Sequence, residues 1–252
     1  MNSATVRNLL VRGMLAGLAA GVLALVVAYF LGEPNVDSAI GFEESHAPAH
    51  EHEVELVSRS LQSTAGLATG VLVYGVALGG IAALAYCFAL GRVGRFTPRA
   101  TALLLSGAAL LTVYVVPFLK YPANPPAVGD HDTIAKRTTL YFLMMVLGVL
   151  LAVAAVIAGR RLAPRLGAWY ATVVAVLGFT VVIGLAYAFL PSVNEVPTDF
   201  PAALLWRFRL SSLALQITMW AGFGLVFGEL AERLLNPKPA AIPAGTAVTA
   251  SR

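Results

Sequence analysis

The chain has 252 residues, of which 58% are hydrophobic and only 12% charged. That balance excludes a soluble domain of this length and calls for several bilayer-spanning helices. The net charge is +4, no nucleic-acid partner is expected, and the single cysteine, Cys87, excludes an internal disulfide.

The predicted fold class is all-α: a polytopic integral membrane protein with a bundle of about six transmembrane helices. The apolar runs fall near 9–31, 61–90, 100–119, 138–158, 166–190 and 210–230. Each is long enough for a hydrocarbon core of about 30 Å at roughly 1.5 Å per residue. The first run is flanked by Gly32-Glu33-Pro34 rather than by a small-residue cleavage site, so it reads as a retained span. Residues 1–235 form the transmembrane domain, and 236–252 are expected to be a disordered cytoplasmic tail. Cys87, inside an apolar run, reads as a packed thiol.

Charge sets the orientation. With the amino terminus in the cytoplasm, Arg7, Arg12, Arg92, Arg95, Arg99, Arg160, Arg161, Arg165, Arg233, Lys238 and Arg252 lie inside, eleven of the seventeen bases. The connections after spans one, three and five then lie outside with eleven of the thirteen acids. This is the positive-inside pattern for a multi-pass protein of the cytoplasmic membrane with both termini cytoplasmic.

Gly13, Gly17 and Gly21 on span one repeat at a spacing of four, and Gly66/Gly70, Gly75/Gly79 and Gly224/Gly228 repeat the device. In lipid, such spacing marks close helix packing. A compact bundle is expected, with room for a helix of a second subunit.

The first outward connection, 32–60, is the polar island of the chain. It carries Glu33, Asp37, Glu43, Glu44, Glu51, Glu53 and Glu55 with His46, His50 and His52, against one base, Arg59. Imidazole nitrogens and carboxylate oxygens at short spacing are ligands for divalent first-row metals. His46, His50, His52, Glu43, Glu44 and Glu53 are therefore candidate metal ligands; a merely solvated acidic loop is the competing reading. Pro48 interrupts any helix from Glu44 to His52 but suits a first turn, so span two is expected to begin as a stalk near it. The sequence leaves open whether the histidines sit on that stalk or on an extended segment.

The second outward connection holds Pro117, Pro122, Pro125 and Pro126, which predict a stiff extended segment lying across the mouth of the bundle. Lys120 and Tyr121 are placed to anchor a helix end, and Asp130 or Asp132 to cap the fourth helix. His131, between two aspartates, is a further candidate ligand. In the third connection, Thr198-Asp199 before Pro201 signals a helix start. Arg207 and Arg209 are expected to pair with Glu33, Glu195 or Asp199.

No Asp, Glu, Lys, Arg or His falls in the middle of any span, which argues against a charge-coupled antiport. No phosphate-binding loop of the form G-x-x-x-x-G-K-[ST] is present either. The polar inventory at depth is neutral, with Ser106, Thr112, Thr180, Ser211, Ser212, Gln216 and Thr218. Met144, Met145 and Met219 read as core.

Taken together, the glycine-spaced first helix ending in Gly32-Glu33-Pro34, the Glu43-Glu44 and histidine segment, VPFLKYPANPPAVGD from Val116 to Asp130 with Arg137, and Pro191 through Glu195-Val196-Pro197 to Arg209 and Ser211-Ser212 resemble the CbtA family of predicted cobalt transporter subunits. The resemblance implies cobalt uptake connected to cobalamin synthesis, with a small single-span partner, CbtB, and no ATPase. It implies a transporter subunit rather than an enzyme, with cobalt, or nickel, as the transported ion and no tightly bound cofactor. Nitrogen and oxygen sites hold copper and zinc more tightly than cobalt, so the loop cannot select cobalt by affinity alone. Two other readings stand beside transport: a metal-binding membrane subunit that assembles or regulates a partner, and a lipid-handling enzyme using the outer arginines.

Overall fold

The computed structural model describes residues 2–46 and 57–237. Five helical stretches there are long and apolar enough to cross a membrane: α1 (Ser3–His46), α2 (Arg59–Ala89), α3 (Pro98–Lys120), α4 (His131–Phe189) and α5 (Ala202–Leu235). The fold is a multi-span helical bundle. Gly167 breaks α4 into two arms with a backbone no other residue adopts easily, φ 78° and ψ 158°. The arms fold back on each other, and a Cβ added at Gly159 would lie 3.4 Å from Ala175 Cβ. The fifth stretch of the sequence reading is thus the second arm of α4.

The glycine pattern of α1 meets its counterpart on α2. A Cβ at Gly13 would lie 2.6 Å from Gly79 O, and one at Gly75 equally close to Gly17 O. Neither side chain fits, so the two backbones form the closest seam of the fold. Gly224 and Gly228 serve α5 in the same way, against Ser106 and Arg99 of α3. Gly70 meets nothing, and its repeat with Gly66 is not a packing seam within this chain. Between α1, α2, α3 and α5 lies the main core, with Leu9, Tyr86, Met219, Trp220, Phe223 and Phe227 buried and Cys87 packed against it. Phe227 stands edge-on to Tyr86 at 5.0 Å and stacks on Phe223 at 5.1 Å. Such aromatic pairs are each worth about 0.5–1.5 kcal/mol beyond burial.

α4 packs outside this core, in a second cluster where its Leu140, Met144 and Ile183 meet Val116 of α3 and Tyr121 just beyond it. Gly148 lets its first arm approach the Thr112 carbonyl, where an added Cβ would sit at 3.1 Å.

Three expectations are corrected. Residues 33–46 are not loop: α1 continues through a π-helical turn, Ala28–Gly32, into helix ending at His46. A wide turn lets the helix cross from apolar to polar sequence without a break. α2 starts at Arg59 and is not continuous with any helix begun near Pro48, because Val57 and Ser58 are not helical; Pro48 itself lies outside the described residues. Pro117 lies within α3, whose π turn Leu110–Val115 directly precedes it and accommodates the ring. The other three prolines do lie in the non-helical 121–130 connection. Asp130 is the cap of α4, accepting from Asp132 N at 2.9 Å.

Contacts sort the charges by end. Arg12 donates to Leu230 O, Arg99 pairs with Glu229, and Arg160 donates to Arg92 O, which gathers the amino-terminal arginines, the 90–98 connection, the Gly167 bend and the end of α5 at one basic end. Glu33, Asp37, His46, Arg59, Glu195 and Asp199 meet at the opposite, acidic end.

Candidate functional site

The acidic end is built on a small apolar patch. Ala39 of α1, Val128 of the 121–130 connection, and Phe200 and Leu204 at the start of α5 are buried together, with Phe42 edge-on to Phe200 at 5.0 Å. This patch fixes the polar last turns of α1 against both connections. The 121–130 segment is bound to this end, with Asn124 donating to Glu195 and Ala123 O accepting from Arg209.

Three carboxylates are committed to holding that end together. Arg59 pairs with Glu33 and reaches Asp37 Oδ1 at 2.8 Å, tying α2 to α1. The Glu195 side chain is only 2% exposed. It accepts from Arg137 at 3.2 Å, Asn124 at 3.2 Å and Thr133 Oγ1 at 2.6 Å. A buried carboxylate needs this satisfaction. Arg209 does not pair with a carboxylate as expected, because Arg137 has taken Glu195. It donates instead to Ala123 O and Asn124 Oδ1, both at 3.2 Å. It still joins the outer loops, through backbone and amide. Arg207 is exposed and has no ion pair among the described residues.

Lys120 and Tyr121 tie the end of α3 to the last turn of α4 and to the third connection. Lys120 Nζ donates to Tyr187 O at 2.8 Å, and the Tyr121 hydroxyl donates to Pro191 O at 2.8 Å. Burial pushes the Tyr121 phenol above its ordinary pKa, which keeps that donor protonated.

The remaining acidic groups are open. Glu43 and Glu44 are exposed on α1. His46 Nδ1 lies 2.8 Å from Phe42 O and its ring stacks on Phe42 at 4.1 Å. Ser45 Oγ lies 2.9 Å from the same nitrogen; the tautomer with its proton on Nδ1 donates to the Phe42 carbonyl, which can only accept, and leaves the Nε2 lone pair free. Backbone fixation of one nitrogen is how ligating histidines are commonly oriented. Nε2 faces Asp199 Oδ2 at 3.8 Å, with both side chains more than half exposed. Adjacent ligands at about 2.1 Å from one cation stand roughly 3.0–3.4 Å apart, so these two exposed side chains would need to close by a few tenths of an ångström to share an ion. Glu43, three residues before His46, neighbours it on the helix surface.

Asp199 is legible in the sequence as a helix-start residue and as a possible partner of Arg207 or Arg209; α5 begins at Ala202 with no side-chain cap. Nothing in the sequence pairs it with a histidine 153 positions away. His50, His52 and Glu53 lie outside the described residues, as does the side chain of His131. Among the described residues, no three His, Cys, Asp or Glu side chains gather into a metal-holding group.

Beneath the acidic end the polar groups are neutral. A cavity of about 280 Å³ is lined by Tyr114, Phe118, Tyr121, Ala123, Arg137, Thr138 and Tyr141. The Tyr114 hydroxyl lies 2.7 Å from Ser212 Oγ, and Gln216 faces the Tyr74 hydroxyl. The sequence reading named Ser212 and Gln216 but missed these tyrosines, since membrane tyrosine reads first as belt or core.

The family described as probable cobalt transporter subunit (CbtA) matches residues 6–232. The chain belongs to the CbtA family. That span includes every helix core and both committed arginine–carboxylate clusters, and it ends within α5. No curated protein and no solved structure matches the chain.

Proposed function

We propose that the chain is the membrane-embedded subunit of a cobalt uptake system, with nickel as the alternative ion, and that its acidic end faces outward to collect the cation. The observation that carries this reading is the oriented His46–Asp199 pair beside Glu43 and Glu44, left open while neighbouring carboxylates are neutralised by arginine. His50, His52, Glu53 and His131 complete the ligand set from the adjoining segments. Family membership supports cobalt as the cargo. The positive-inside bias supports the orientation, with the basic end and both termini cytoplasmic. A small single-span CbtB-like subunit is the expected partner, and the family's role in cobalamin synthesis the expected context.

Reconstitution in liposomes with and without that small subunit, following cobalt entry, tests the reading. Entry that requires this chain supports transport; cobalt binding without entry in either preparation would favour a metal-binding assembly subunit. Sidedness is tested separately, in a Cys87→Ser background. Cysteines at Ser45 and Ala127 should label with an impermeant reagent from outside, and one at Thr97 should not. Labelling of Thr97 alone would reverse the direction.

A further inference from the structure

At the basic end, α3 and α4 part. A cavity of about 480 Å³ opens between them, lined by Ala108 and Leu111 of α3 and by Ala155, Val156, Ala175 and Phe179 of the two arms of α4. Arg160 and Val93 also line it, at its basic end. The five arginines of the adjoining bend and connection, Arg92, Arg95, Arg160, Arg161 and Arg165, are all exposed. None has a carboxylate partner among the described residues, because Glu229 is held by Arg99 and Arg233 and Glu232 accepts from Arg99 N and Asn236. Arg160, which lines the cavity, donates to Arg92 O, and this contact sets the Arg92 backbone beside the mouth while its guanidinium lies over the Phe88 ring at 5.0 Å.

An apolar slot in the hydrocarbon region beneath an uncompensated cationic collar is complementary to one kind of molecule, an amphiphile with an anionic head and an acyl tail. A water-filled ion route would need a polar lining, whereas apart from Arg160 at its mouth this slot offers only Thr112 and Thr172, whose hydroxyls donate to carbonyls of their own helices. We propose that this slot is a binding site for an anionic phospholipid of the leaflet at the basic end. Its acyl chain fills the space between α3 and α4, and its phosphate sits among Arg160, Arg92 and Arg161. The lipid supplies the packing that α4 lacks at this end.

Native mass spectrometry of the full chain, titrated with phosphatidylglycerol, phosphatidylcholine or glycerol phosphate, tests the site. Phosphatidylglycerol should bind more tightly than phosphatidylcholine, and glycerol phosphate should not compete. The double variant Arg160→Gln/Arg161→Gln should lose about fivefold in affinity per arginine removed. Ala155→Phe, which fills the slot and leaves the collar intact, should weaken both lipids. Thermal melts of each variant identify any that fails to fold, and Arg161→Gln alone then carries the charge arm. Equal binding of the two lipids, or a preference unchanged in the variants, would overturn the proposal. So would full competition by glycerol phosphate, or cross-linking from a cysteine at Ala155 to a single-span polypeptide in place of lipid.

Discussion

The two ends of the bundle handle charge in opposite ways. At the acidic end, arginine neutralises some carboxylates and leaves others open; at the basic end, two glutamates are occupied and five arginines have no carboxylate partner among the described residues. The difference teaches that excess charge here is a matter of which groups the structure chooses to pair. Glu195 and Glu33 are structural because a cation from another element is packed on each. Glu43, Glu44 and Asp199 are available because none is.

The comparison depends on a shaft that keeps the ends apart, and the largest effect is expected from breaking it. Gly17→Leu puts a side chain where α2 backbone already stands, so folded yield in detergent should collapse; normal yield would show that the seam can open. Next comes the buried pair at the acidic end. Glu195→Gln keeps shape and hydrogen bonding but strands Arg137, and leaving a buried charge unpaired costs about 3 kcal/mol or more. A lowered melting temperature should report it. Glu33→Gln removes a pair whose arginine is 30% exposed and retains Asp37, so roughly 1 kcal/mol is expected. Smallest is Arg233→Ala, at an exposed helix-surface pair on the basic end. It should shift stability by no more than about 0.5 kcal/mol. A loss there equal to that of Glu195→Gln would erase the distinction between the ends.

Much of this architecture is legible in the chain. Hydropathy alone marks the spans, and the Gly13/Gly17 and Gly75/Gly79 repeats announce the seam they form, because in lipid little else explains glycine at that spacing. The end-to-end sorting of Arg12, Arg99 and Arg160 from Glu33, Glu195 and Asp199 also follows from counting charges between spans. The errors have a common physical source. Residues 33–46 are polar, and polarity was read as loop, although a helix leaving a membrane stays a helix when its next turns find a surface to pack on; Ala39 and Phe42 find one at Val128 and Phe200. Pro117 was read as a break, although a preceding π turn removes the clash. Arg209 is expected to pair with Glu33, Glu195 or Asp199 because all lie at the outer boundary, while Arg137 takes Glu195 from another helix. The site itself was half legible. His46, Glu43 and Glu44 stand out by composition, whereas Asp199 enters only when the fold brings the third connection onto the end of α1.

The central claim is that the open groups at the acidic end capture the cation. The direct measurement is the initial rate of cobalt entry into proteoliposomes across external cobalt concentrations and between pH 5 and 7.5, for the parent and for the variant Glu43→Gln/Glu44→Gln/His46→Ala/Asp199→Asn. Glu43, Glu44 and Asp199 are exposed, and His46 adds only its stacking on Phe42 and its bond to Phe42 O, so a melting temperature matching the parent's is expected and is measured alongside. An entry site contributes to capture and not to passage. The half-saturating concentration should therefore rise more than the maximal rate falls. Imidazole binds metal only when neutral and carboxylate only when ionised, so lowering pH should weaken capture in the parent and much less in the variant. Superimposable concentration curves with the same pH dependence would contradict the account and leave the acidic end a solvated surface.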